Sequence, residues 1–141
     1  MLGIQFEVVE HGGIRYAEII RAGSATPTTK FCSPADSSLQ FGLLAHERGF
    51  IEPAHFHKPV ERRITNLAQM FVVQKGKIAV DFFTPDGKKL GEVVLGVGDA
   101  ILLVDGVHSI RVLEDMQCVS VKQGPFLGAE NDKIDVRVET A

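Results

Sequence analysis

Apolar and polar residues alternate along the chain in short runs, at residues 4–9, 14–20, 39–44, 69–73, 78–83, 92–95, 100–104, 108–113 and 118–122. A period of two places successive side chains on opposite faces of an extended backbone, so each run is read as a β-strand. The pattern is clearest where Ile78, Val80 and Phe82 alternate with Ala79, Asp81 and Phe83. Thr84-Pro85-Asp86-Gly87 follows, a turn sequence that reverses the chain into residues 88–95 and closes a hairpin. No stretch of eleven residues keeps a helical period. The expectation is therefore an all-β chain, a sandwich or a barrel. Residues 22–38, with Gly23, Pro27, Pro34 and many hydroxyl side chains, read as an extended loop or arm, so residues 1–38 form an N-terminal strand and arm region.

Composition narrows the class. The 141 residues fit one domain, here taken as 1–141, and 45% hydrophobic with 23% charged residues exclude a disordered chain. A net charge of −3 without a basic cluster argues against a nucleic-acid partner. The longest apolar runs are far shorter than a bilayer requires, so no membrane partner is expected, and no leader pattern is present. Cys32 and Cys118 have neither the spacing of a metal motif nor the number of a disulfide scaffold, which points to a reducing, cytoplasmic location.

The candidate chemistry lies in the histidines. In Pro53-Ala54-His55-Phe56-His57 the two imidazoles are two residues apart, and on a strand they would share one face about 6.6 Å apart along the chain, a spacing suited to neighbouring ligands of one metal ion. His108 opens a strand on which His108, Ile110 and Val112 share an apolar side, expected to point inward. An inward imidazole needs a partner, and a metal shared with the His-x-His pair would supply one. His11 and His46 have no ligand neighbour at useful spacing, and Arg111 and Asp81 fall on outward faces of their strands.

These residues resemble the cupin superfamily, small double-stranded β-helix (jelly-roll) barrels that often hold a metal ion in the barrel mouth. The first cupin motif is matched by Gly49, five residues, then His55-x-His57. Glu61 has the motif's distance from His57 but lacks the closing Gly, since Ala68 stands there. Gln69 has the right distance from Gly76 and heads a strand-and-turn like the family's, so Gln69 is the preferred fourth ligand and Glu61 the alternative. The second motif is matched in order but in part: Gly98 and Asp99 open it, Val104 takes the Pro position, Gly106 fits, His108 comes one residue early and Val112 replaces Asn. The motif regions are thus 49–76 and 98–112. The tail around Lys122-Gln123-Gly124-Pro125-Phe126 is also similar to a cupin subgroup associated with surface-polysaccharide genes.

The resemblance implies one divalent transition metal ion, Fe, Mn, Ni, Co, Cu or Zn, held by His55, His57, His108 and Gln69. Neutral ligands would leave the ion its full charge, favouring an anionic oxygen ligand. Arg62 and Arg63, between the ligand strands, are candidates to hold a carboxylate or phosphate, and Lys122 is a third candidate contact. Two functions follow. One is a metal-dependent oxygenase or isomerase/lyase acting on a small anionic metabolite, with no catalytic base identifiable. The other is a non-catalytic module that binds or senses a sugar or other metabolite. Pairing through edge strands suggests a homodimer.

Overall fold

The computed structural model of the chain describes residues 3–139. Its elements are β1 (Phe6–His11), β2 (Ile14–Ile20), β3 (Lys30–Phe31), β4 (Gly42–Leu43), β5 (Gln69–Phe83), β6 (Lys89–Leu95), β7 (Ala100–Leu103), β8 (Val107–Lys122) and one helical turn, α1 (Ala129–Asp132). With 43% strand and 3% helix among the described residues the fold is all-β, a strongly curled antiparallel half-barrel.

β5 holds the sheet together. The strand order is β1-β2-β7-β5-β6, and β8 runs along the other side of β5. The first part of β5 lies between β7 and β8, with Phe71 opposite Ile101 and Ser120. The second part lies between β6 and β8, with Val80 opposite Val93 and Ile110. The sequence suggests two strands here and two in the partner segment, because the mostly polar stretches Gln74-Lys75-Gly76-Lys77 and Glu114-Asp115-Met116-Gln117 interrupt both patterns. In the fold each pair is one long strand, bent rather than broken. The register shifts at Lys75 and Lys77 absorb the bend. Gly76 makes it possible: its φ is 81°, and a Cβ there would collide with the carbonyl oxygen of Asp115.

Directly opposed residues in an antiparallel ladder share a face, so the two faces of the sheet can be followed across strands. The inner face carries Tyr16, Ala17, Ile19, Phe71, Val73, Ile78, Val80, Phe82, Leu95, Ile101 and Leu103 in one core. Curling brings β6 and β7, which are not neighbours in the sheet, against this shared cluster. Tyr16 meets Phe82 edge-on and donates its hydroxyl hydrogen to the Phe83 carbonyl at 3.0 Å.

The outer face carries a second, smaller core of Ile20, Phe41, Ala68 and Leu102. The β3–β4 hairpin covers it. This arm is tied down by the fully buried Glu18, whose Oε2 accepts from Ser33 Oγ at 2.7 Å and whose Oε1 accepts from Arg15 at 3.2 Å. Ser33 Oγ in turn accepts from the Phe41 amide at 3.0 Å, so both strands of the arm hang on one carboxylate.

Asp81 is also on the outer face, as its position in the strand implies, yet it is buried. Arg111 reaches across the ladder to it with bonds of 2.6 and 3.0 Å, and Lys89 lies 3.2 Å away. The Arg111 hydrogen bonds, working against partial desolvation and aided by Lys89, hold its carboxyl at a pKa of about 2, below the usual 3.8. A group whose folded pKa is depressed stabilises the fold above its unfolded pKa and loses that contribution as pH falls through the folded value. Asp81→Asn is therefore expected to lower unfolding free energy by about 1–3 kcal/mol at neutral pH. Denaturant titrations of the two proteins should converge as pH drops from about 4 towards 2; a gap that persists unchanged there would contradict the pairing.

Candidate functional site

Two of the four proposed ligands lie on the inner face, towards opposite ends of β5. Gln69 precedes Phe71 by two residues and lies opposite Leu103 and Lys122, while His108 lies opposite Phe82 at the other end of β5. Gln69 is already engaged, its Nε2 donating to Ser120 Oγ at 2.9 Å. His108 is on the expected side of its strand, but that side is not closed over. His108 is solvent-accessible and Ile110 and Val112 are exposed, because no second sheet lies against β8 among the described residues. Partial desolvation still lowers the His108 pKa below the usual 6.5; a backbone hydrogen bond at Gly106 opposes this, and the charge of Lys133 adds to it.

The expected strand for His55 and His57 is not formed. Residues 50–65 are irregular, and both histidines are exposed. The strand reading depended on a neighbouring ladder, and this segment pairs with none. The two rings nevertheless meet edge-on, with centroids 5.4 Å apart. His55 Nδ1 donates to the Pro53 carbonyl at 2.8 Å. A carbonyl can only accept, so the neutral ring carries its proton on Nδ1 and leaves the Nε2 lone pair available. Glu52 lies on that side, 3.9 Å from Nε2. Among the described residues no group of three or more His, Cys, Asp or Glu side chains is drawn together in a metal-binding arrangement. Glu61 is exposed in the same irregular segment.

The same segment continues onto the outer face, where it builds a cavity of about 830 Å³. Ala68, Leu102 and Val104 form an apolar floor belonging to the second core. Residues 35–40 form one wall and 62–66 the other, with Arg62, Arg63, Gln40 and Asn66 among the lining side chains. Asn66 Nδ2 donates to the Val104 carbonyl at 2.8 Å, which pins the wall to the end of β7. Arg15, Arg21 and Arg111 are each paired with carboxylates. By contrast, no ion pair engages Arg62 or Arg63 among the described residues. Asp36 is the one carboxylate in the lining.

Other sequence candidates lie apart from these features. Lys122 is exposed, with its ammonium 5.2 Å from the centre of the Phe126 ring. His46 stacks on Phe50 at 3.9 Å, and His11 ends β1. Gly98 and Asp99 serve the turn between β6 and β7: Gly98 N donates to Val73 O at 2.8 Å, and the Asp99 carboxylate accepts from the Ala22 and Gly96 amides, each at 2.9 Å. Sequence reasoning missed Gln40 and Asn66, which sit in runs without a recognisable motif. It also missed Gln123, whose Oε1 accepts from the Ala68 amide at 2.9 Å while its buried Nε2 has no partner among the described residues.

Searches against protein families, curated proteins and solved structures return no match for this chain. Among the described residues no helix is long and apolar enough to cross a membrane.

The environment of His108 predicts a measurable titration. Its imidazole resonances should move with a midpoint below 6.5, and Lys133→Gln should shift that midpoint part of the way back up. Because the unfolded chain takes up this proton first, stability falls as pH drops from about 6.5 to the lowered pKa, and the loss stays constant below it. A midpoint at or above 6.5 in the intact chain would show that the ring is not desolvated.

Proposed function

We propose that this chain is a cupin-type jelly roll that binds a small anionic metabolite, a sugar phosphate or sugar carboxylate, in the outer-face cavity without turning it over. The observation that carries the reading is that two consecutive arginines, Arg62 and Arg63, neither in an ion pair among the described residues, line one cavity together with the apolar Ala68, Leu102 and Val104. A guanidinium fork matches two oxygens of a carboxylate or phosphate and is less strongly hydrated than an ammonium, so it gives up water at lower cost. The floor of Ala68, Leu102 and Val104 suits the C–H face of a sugar ring, and the amide oxygens of Gln40 and Asn66, whose nitrogens already donate to backbone carbonyls, can accept from hydroxyl groups. The size of the cavity, about 830 Å³, is in the range of small-molecule sites. Free Cys32 and Cys118 accord with a reducing, cytoplasmic setting.

Calorimetric titration with a hexose phosphate, inorganic phosphate and the neutral hexose tests this. The phosphates should bind and the neutral sugar should bind far less. Arg62→Ala and Arg63→Ala should each weaken phosphate binding by about tenfold to a hundredfold, the worth of one charge-assisted hydrogen bond. Equal binding of charged and neutral sugars, or unchanged affinity in the double variant, would overturn the reading.

A second reading, the metal-dependent oxygenase or isomerase, is favoured by the 5.4 Å spacing of the His55 and His57 rings and by the His55 tautomer that leaves the Nε2 lone pair outward, with the Glu52 carboxylate 3.9 Å away. Those two imidazoles fit a shared ion, and His108 is the third candidate ligand, on the inner face that residues 50–65 would have to fold over. A bound ion would supply Lewis-acid or redox chemistry to an oxygen ligand. Chelator-stripped protein should then take up about one equivalent of Zn²⁺ or Ni²⁺, with affinity lost in His57→Ala. Equal uptake by His57→Ala removes this reading and leaves the cavity reading untouched.

A further inference from the structure

The two walls of the outer-face cavity are built differently. Residues 34–40 are fixed from within: Gln40 Nε2 donates to the Pro34, Ala35 and Ser37 carbonyls at 3.0, 3.4 and 3.2 Å, and the Ser37 amide donates to the Pro34 carbonyl at 3.0 Å. The stem of this loop is closed by the Cys32 amide on the Phe41 carbonyl at 2.8 Å and by the Phe41 amide on Ser33 Oγ at 3.0 Å. The wall that carries Arg62 and Arg63 has no such frame. Among the described residues the backbone amides of 51–65 donate to no protein group, and the one backbone carbonyl there that accepts, that of Pro53, does so from His55 of the same segment. Every side chain of 51–65 is exposed. The segment is held at its end, where Asn66 Nδ2 donates to the Val104 carbonyl and the Ala68 amide to Gln123. A backbone that gives its hydrogen bonds to water loses few of them by moving, so this wall opens and closes at low cost while the other stays in place.

We propose that residues 51–65 are a strap that closes over the cavity when an anion binds, turning at Asn66 and carrying Arg62 and Arg63 onto the bound group. The inference rests on the anion-binding reading of the cavity and adds how that site is gated. Both arginines stand within four residues of the hinge, so a small rotation there moves them together. Ile64, 45% exposed, lines the cavity from the strap and Leu39 lines it from the fixed wall, so closing takes apolar surface out of water. Excluding water strengthens the bonds between guanidinium and anion. Without an anion the same movement would desolvate two neighbouring positive charges, which keeps the free protein open.

Chymotrypsin should cut the full chain after Phe56, and the amide hydrogens of residues 58–65 should exchange at close to the rate of an unstructured peptide. A saturating hexose phosphate should slow both about tenfold or more, although Phe56 is not among the residues that line the cavity. Asn66→Ala should weaken binding of the hexose phosphate and reduce this protection. Ile64→Ser, a change on an exposed side chain, should do the same with an unchanged circular dichroism spectrum, and it carries the test if Asn66→Ala does not fold. Calorimetric binding of the hexose phosphate with cleavage and exchange unchanged would overturn the strap and leave the cavity reading standing. Protection as large in the Arg62→Ala, Arg63→Ala double variant as in the wild type would also overturn it. Absence of any phosphate binding would remove the cavity reading itself, and the strap with it.

Discussion

The ladder between β5 and β8 is the constraint on which the other parts of the fold rest. One backbone, Gln69–Phe83, gives its hydrogen-bonding groups to β7 and β8 in its first part and to β6 and β8 in its last. Neither half of the sheet would be joined to the other without it. The bend at Gly76 then turns a flat ribbon into a half-barrel and brings side chains from β2, β6 and β7 into a single inner core. The requirement for glycine is steric: φ is positive, and the carbonyl of Asp115 occupies the space a Cβ would need.

A sheet curled in this way has two unlike faces, and the candidate chemistry divides between them. The inner face presents His108 and Gln69 at opposite ends of β5. The outer face presents the arginine-lined cavity, whose floor is the second core. Residues 50–65 lie between these possibilities. They carry the His55–His57 pair at one end and Arg62 and Arg63 at the other, and only the Arg end is anchored, through Asn66 on Val104 and Ala68 on Gln123. A bound anion would gain from both anchored walls of the cavity. A metal ion on the imidazole pair would need the unpaired part of the segment to move first, a cost set against its binding energy.

The elements most legible in the sequence are those whose signals are local. Residues 14–20 alternate between Gly13 and Ala22-Gly23 and form β2 with the same bounds, and Thr84-Pro85-Asp86-Gly87 turns the chain as its residues require, with Gly87 N donating to Thr84 O at 2.9 Å. What was hidden depended on distant neighbours. Gly76 looks like a turn residue and instead bends a continuous strand against Asp115. Asp81 looks exposed by alternation and is buried by the long side chains of Arg111 and Lys89, thirty and eight positions away. The His-x-His spacing suggests a strand, but a strand exists only where another backbone satisfies it, and residues 50–65 have none. In the same way Arg62 and Arg63 could be nominated from charge type, whereas Gln40, Asn66 and Leu102 join them only through the tertiary fold.

The central claim, that the anion-binding surface is the outer cavity and not the histidine face, is open to a direct measurement. Backbone amide resonances followed during titration with a hexose phosphate should shift at residues 36–40, 62–66 and 102–104, with little change at Gln69, His108 and Ser120. Shifts concentrated at those last three residues, or none at saturating ligand, would contradict it.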